Sequence, residues 1–171
     1  MRSISRTLLA SVLGSLALAS GAQQPSSFEQ AASATQRVAE PYFAAYIARD
    51  WNRLEPLLGD MGRFSDPTAL PVFGVVRHEG KTAVMKNFRE GYASITHMTF
   101  HQVRSFFSGQ HAVFEGRLDW TLALGDGRHA TTEGMPFVTI LQVVNGQIVD
   151  HQDLADYKPF VAAVRKARSG S

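Results

Sequence analysis

Val113-Phe114-Glu115-Gly116-Arg117-Leu118-Asp119-Trp120-Thr121-Leu122-Ala123-Leu124 alternates apolar and polar side chains over most of its length. Successive side chains of a strand point to opposite faces. The run therefore predicts a long strand with Leu118, Trp120 and Leu122 on one side and Arg117, Asp119 and Thr121 on the other. An arginine and an aspartate two residues apart can pair. On a solvated strand face such a pair says little, because antiparallel sheets commonly leave one face polar. It acquires chemical meaning only if that face borders a cavity.

Similar runs flank this one, at Met98–Phe107, His129–Val143 and Gln147–Ala155. Ser108-Gly109-Gln110, Gly125-Asp126-Gly127 and Val144-Asn145-Gly146 separate them, the last a strong hairpin signal. The N-terminal third has the other period. Between Phe28 and Arg49, residues Val38, Tyr42, Ala45 and Tyr46 recur on one helical side, with Pro41 predicting a kink or two abutting helices. Asp50 is placed to cap a second helix reaching Leu58. A short strand, Arg63-Phe64-Ser65, stops at Asp66-Pro67, and a loop leads through Val72–Val76 to Gly80. A third helix then spans Lys81–Ala93 with Val84, Phe88 and Tyr92 inward, and Pro159 opens a last one through Val164. Helices followed by an antiparallel meander predict an α+β fold with helices packed on one sheet face.

Residues 1–22 read as a secretory leader: Arg2 and Arg6, an apolar stretch from Leu8 to Ala19, and small residues that permit cleavage after Ala19 or Ala22. The stretch is too short and too rich in small residues for a good membrane span. The protein is expected to be exported, periplasmic or secreted, with residues 23–171 forming one domain. Losing the leader removes two of the 17 basic residues and none of the 15 acidic ones, leaving a formally neutral chain. That charge is wrong for a nucleic-acid binder. The chain has no cysteine, which excludes disulfides, thiol catalysis and zinc–thiolate sites.

Three stretches carry a resemblance to a known family. They are Tyr42-Phe43-Ala44-Ala45-Tyr46-Ile47-Ala48-Arg49-Asp50, Phe64-Ser65-Asp66-Pro67, and the segment from Asn145 to Tyr157. Together with the element order they resemble the SnoaL-like branch of the NTF2-like superfamily, over essentially the whole chain after the leader. The resemblance implies a cone, a curved antiparallel sheet wrapped around about three helices with a short C-terminal helix, holding a deep, mostly apolar pocket. That fold hosts epoxide hydrolases, ketosteroid isomerases, polyketide cyclases and non-catalytic domains, so it does not choose among them.

Arg117-x-Asp119 with Asp153 is similar to the Asp-Arg-Asp triad of the limonene-epoxide-hydrolase type. In that reading Asp153 activates water, Asp119 protonates the epoxide oxygen and Arg117 bridges them inside the cone. An arginine between two buried carboxylates would hold one ionised while like-charge repulsion raises the proton affinity of the other. Phe64 and Asp66 depart from that type, standing where it carries Tyr and Asn. The ketosteroid-isomerase type is matched instead by Asp66 as proton shuttle and Tyr42 as oxyanion donor, with Thr139 at the second donor's place. Cyclase-like use of Asp66 and a non-catalytic ligand-binding domain stay open.

The expected catalytic set is thus Arg117, Asp119, Asp153 and Asp66, with Tyr42, Phe64, Trp120, Thr139 and His151 contacting a small hydrophobic molecule. No cofactor is expected. The six histidines show no metal-ligand spacing, so no metal is expected either. His151 is in phase with Asp153, and Asp156-Tyr157 reads as a cap for the last helix. The Phe100, Phe106 and Phe107 cluster is core or the face of a homodimer.

Overall fold

The structure, a computed structural model, describes residues 27–170. The leader lies outside the described residues. Helix α1 (Phe28–Ala48) begins with a capping box, in which Ser27 Oγ accepts from the Gln30 backbone N–H and Gln30 Oε1 accepts from that of Ser27. It runs as one helix through Pro41 and ends at Arg49 in the left-handed region (φ 56°). Asp50 caps α2 (Trp51–Leu54) by accepting from the Arg53 N–H, and a single 3-10 turn finishes that segment at Leu57.

Strand β1 (Leu58–Asp66) is longer than its three predicted residues. A 3-10 turn over Pro67–Ala69 follows, and the loop expected after it is partly helical. Leu70–Phe73 forms a helical turn, α3, and β2 spans Val76–Glu79. Pro67 and Pro71 favour turns, and Gly74 (φ 78°) supplies the reversal. Helix α4 (Lys81–Lys86) widens into a π-turn over Asn87–Gly91 that carries Phe88 inward. The meander follows as β3 (Ile95–Ser108), β4 (His111–Ala123), β5 (His129–Val144) and β6 (Gln147–Ala155), and α5 (Lys158–Ser169) closes the fold.

The six strands form one curved sheet in the order β2-β1-β6-β5-β4-β3. It is mixed rather than wholly antiparallel: β1 runs parallel to β6, pairing Phe64 with His151. The parallel contact joins the first and last strands of the fold, which no local turn signal could announce. Tyr42, Phe43 and Tyr46 of α1 are buried against the inner face. Phe43 stacks on Phe114 at 4.3 Å between ring centroids. Gly116 lets β3 and β4 close together, since a Cβ there would lie 2.3 Å from the His101 carbonyl oxygen.

Candidate functional site

Along β4 burial alternates, with Leu118 and Trp120 inside, Arg117 exposed and Asp119 half-buried on the outer face. Asp153 is 1% exposed and faces the interior. The predicted convergence of Arg117, Asp119 and Asp153 is therefore corrected: the sheet separates the first two from the third. The physical reason is the apolar alternation itself. Burying Arg117 and Asp119 would have turned Leu118 and Trp120 out to water.

The outer pair holds the backbone instead. Two residues of β5, Glu133 and Gly134, stand opposite the single Asp119 between the Leu118–Met135 and Trp120–Thr132 pairs, a bulge of one residue, and Gly134 adopts φ 63°. Asp119 Oδ1 accepts from the Gly134 N–H at 2.6 Å, and Arg117 donates to the Gly134 carbonyl at 3.0 Å. Asp119 Oδ2 also contacts His101 Nε2 at 2.7 Å. The Gly134 N–H, followed by His101, holds the Asp119 carboxyl below its ordinary range.

Inside, Asp153 is the centre of a buried polar network. Thr139 Oγ1 donates to its Oδ1 at 2.6 Å, His151 Nε2 lies 2.9 Å from the same oxygen, and Tyr46 donates to Oδ2 at 2.6 Å. Tyr46 in turn contacts the Tyr92 hydroxyl at 2.6 Å, and Tyr42 contacts His151 Nδ1 at 3.1 Å. Strand pairing explains the convergence. Thr139 sits opposite Asp153 and Leu141 opposite His151, so these side chains share the inner face, where α1 delivers Tyr42 and Tyr46 one helical turn apart. Burial, then the Asp153 charge, pushes the hydroxyls of Tyr42, Tyr46 and Tyr92 well up, so all three stay protonated.

A cavity of about 440 Å³ opens beside this network. Its wall includes the predicted contacts Phe64 and Trp120 and the predicted base Asp66, together with Phe73, Tyr92 and Tyr157. Tyr42, Thr139, His151 and Asp153 are not on that wall; they lie buried in the network behind it, which corrects their expected place against a ligand. Their contacts satisfy one another, and a buried polar group left unsatisfied would be costly.

Asp66 is 3% exposed and ends β1. Its Oδ1 accepts from the Thr68 N–H, the Thr68 hydroxyl and the Ala69 N–H, capping the Pro67–Ala69 turn, and its Oδ2 accepts from Tyr157 at 2.5 Å. Burial and the Asp66 contact raise the Tyr157 hydroxyl far above its ordinary range. Asp156-Tyr157 does stand at the start of α5: Tyr157 is the N-cap residue, its carbonyl accepting from the Val161 N–H, while Asp156 accepts from the Lys158 N–H and the Tyr157 side chain goes to Asp66. Tyr46, Tyr92 and Tyr157 were all absent from the expected site. The available signal was chemical, since a buried tyrosine needs a partner for its hydroxyl. Trp120 Nε1 and Asn87 Nδ2, both from wall residues, are buried and have no hydrogen-bond partner among the described residues. Among the described residues no group of three or more His, Asp or Glu is arranged to hold a metal, and no helix is long and apolar enough to cross a membrane.

The SnoaL-like domain profile matches residues 39–151, from the middle of α1 to His151. The chain belongs to the SnoaL-like family. Solved structures agree on the NTF2-like cone. A proposed SnoaL-like polyketide cyclase from Shewanella denitrificans OS-217 superposes with a TM-score of 0.68 at 18% identity, covering 77% of this chain and 97% of that one. An LEH-like epoxide hydrolase from M. tuberculosis gives 0.60 at 15% identity, over 81% and 95% of the two chains. A protein with a ketosteroid isomerase-like fold from Catenulispora acidiphila DSM 44928 gives 0.59 at 17% identity, over 74% and 90%. These likenesses establish the fold of this SnoaL-like domain. Among curated proteins none matches the chain significantly.

Proposed function

We propose that this SnoaL-like protein binds a small, mostly apolar molecule in the cavity beneath Trp120 and moves a proton on it with Asp66. The observation that carries this reading is a carboxylate on the wall of an apolar cavity whose Oδ2 has, among the described residues, a single hydrogen-bond partner, the Tyr157 hydroxyl. Oδ2 keeps a lone pair for a substrate proton, while Oδ1 is fixed by the turn. A fixed carboxylate can take a proton from carbon beside a carbonyl and return it nearby, as isomerase and cyclase chemistry requires. Epoxide hydrolysis through Arg117, Asp119 and Asp153 is not proposed, because those groups do not meet.

The test is turnover of a panel of enolisable ketones and epoxides by wild type, Asp66→Asn and Asp153→Asn. Neutralising the base should lower the rate by about a hundredfold or more in Asp66→Asn. An unchanged rate in that variant would sink the reading. A second reading, a non-catalytic carrier, is favoured by the four hydrogen bonds that already occupy Asp66. Saturable binding of apolar ligands with no turnover of any panel member would establish it. We further propose export after loss of the leader, and self-association through β3, where Val103 and Phe106 are exposed. Light scattering at micromolar concentration tests the latter, and a monomer refutes it.

A further inference from the structure

A tyrosine hydroxyl has one proton to give, and the interior network decides where each one goes. Tyr46 donates to Asp153 Oδ2, so its oxygen can only accept from Tyr92. Tyr92 has then spent its proton away from the cavity whose wall it forms. Tyr157 has done the same toward Asp66. The two hydroxyls on the wall therefore turn oxygen lone pairs, not protons, to a ligand. The other end of the network sets the same polarity. Thr139 donates to Asp153 Oδ1, and His151 Nε2 lies against that same oxygen while its Nδ1 meets the Tyr42 hydroxyl, so the Asp153 carboxylate accepts on the side away from Tyr46 as well.

We infer that the cavity selects ligands that bring a hydrogen-bond donor, a hydroxyl or an enol, to Tyr92, because Asp153 draws the Tyr92 proton inward through Tyr46. This rests on the cavity being the binding site proposed above and names what that site reads. A ketone meets lone pair with lone pair at Tyr92, whereas its enol donates. The wall thereby favours the neutral enol over the ketone. Asp153, which lies behind the wall, is a positioning residue in this scheme. It orients protons and touches no ligand.

The polarity can be reversed by one atom. In Asp153→Asn the amide oxygen faces the Thr139 and His151 donors, so the amide nitrogen faces Tyr46 and must donate to it. Tyr46 then donates to Tyr92, and Tyr92 presents its proton to the cavity.

Calorimetric titration with 2-decalol and 2-decalone tests this, since the two share a carbon frame and an acceptor oxygen and differ in the donor. Any bond from Trp120 Nε1 or Asn87 Nδ2 to that oxygen is common to both. Wild type should bind the alcohol about tenfold more tightly. Asp153→Asn should bring the ratio to one or invert it, with near-ultraviolet circular dichroism showing an intact core. Tyr92→Phe, which deletes only a hydroxyl at the wall, should also bring the ratio to one and decides the matter if the Asp153 variant fails to fold. Equal or tighter binding of the ketone by wild type overturns the inference and leaves the cavity as a binding site. So does a tenfold ratio that survives in Tyr92→Phe. Failure of both ligands to bind up to their solubility limits overturns the cavity reading, and the inference with it.

Discussion

Asp153 and Asp119 are the same residue type on strands of one sheet, and each receives hydrogen bonds on both carboxylate oxygens. One lies inside among tyrosines; the other lies outside on a bulge. Asp153 is reached by Tyr46 from α1, 107 positions away, by Thr139 from the paired strand, and by His151 two residues before it on the same inner face. Asp119 serves the backbone N–H of Gly134 in the adjacent strand and has no partner from a helix among the described residues. The difference teaches that a charged residue on an alternating strand takes its chemistry from the face it occupies. On the inner face a carboxylate orders protons beside a cavity. On the outer face it holds a turn of backbone in water.

Replacing each acid tests that contrast most strongly. Asp153→Ala would strip the acceptor from three buried donors, and we expect a loss of about 3–5 kcal/mol in urea unfolding. A cost below about 1 kcal/mol would show that water replaces the carboxylate, and the inner and outer faces would then be equivalent.

Asp119→Ala should cost less, about 1–2 kcal/mol, through loss of the Gly134 N–H contact. Its pH dependence has a definite sign. The Asp119 carboxyl is held below its ordinary value of 3.8 in the folded state, by Gly134 first and His101 after it. A depressed folded value contributes stability that is present above the unfolded value and disappears as pH falls through the folded one. The gap between wild type and Asp119→Asn should therefore be full at pH 6 and shrink below pH 4. A gap that grows on acidification would contradict the assigned contacts.

Gly134→Ala should cost about 1 kcal/mol, because φ 63° is disfavoured for a residue with a side chain although the nearest atom to the new Cβ, in Arg117, is 3.9 Å away. The smallest effect is expected for Arg117→Gln, within about 0.5 kcal/mol, with unchanged ligand binding. Any large change in ligand affinity there would put Arg117 back at the site.

The meander was legible because alternation and turn residues are local. Asn145-Gly146 fixes the last hairpin, and both residues adopt positive φ as that turn demands. The site was half legible. Asp66-Pro67 announces a capped turn, and Phe64 and Trp120 are inner-face residues by strand phase, so these three reached the cavity wall. Tyr157 was hidden, since nothing nearby reveals that its hydroxyl finds Asp66, 91 positions away. Tyr92 was legible as an inward helix residue, but its partner Tyr46 lies in a different helix.

By itself the sequence determined the periods: helices first, four long strands after, and on β4 a choice of faces with Leu118 and Trp120 on one and Arg117 and Asp119 on the other. Apolar area favours burying the Leu118 and Trp120 face, and the structure follows that pull against the expected triad, which had put Arg117 and Asp119 inside. What only the tertiary structure decided is which polar groups meet. The parallel pairing of β1 with β6 and the seating of α1 beneath β5 and β6 bring Tyr42, Tyr46, Tyr92, Thr139, His151 and Asp153 together from four separate segments. Hydrogen bonds act only over about 3 Å, so their partners are set by the closure of the whole chain rather than by any local pattern.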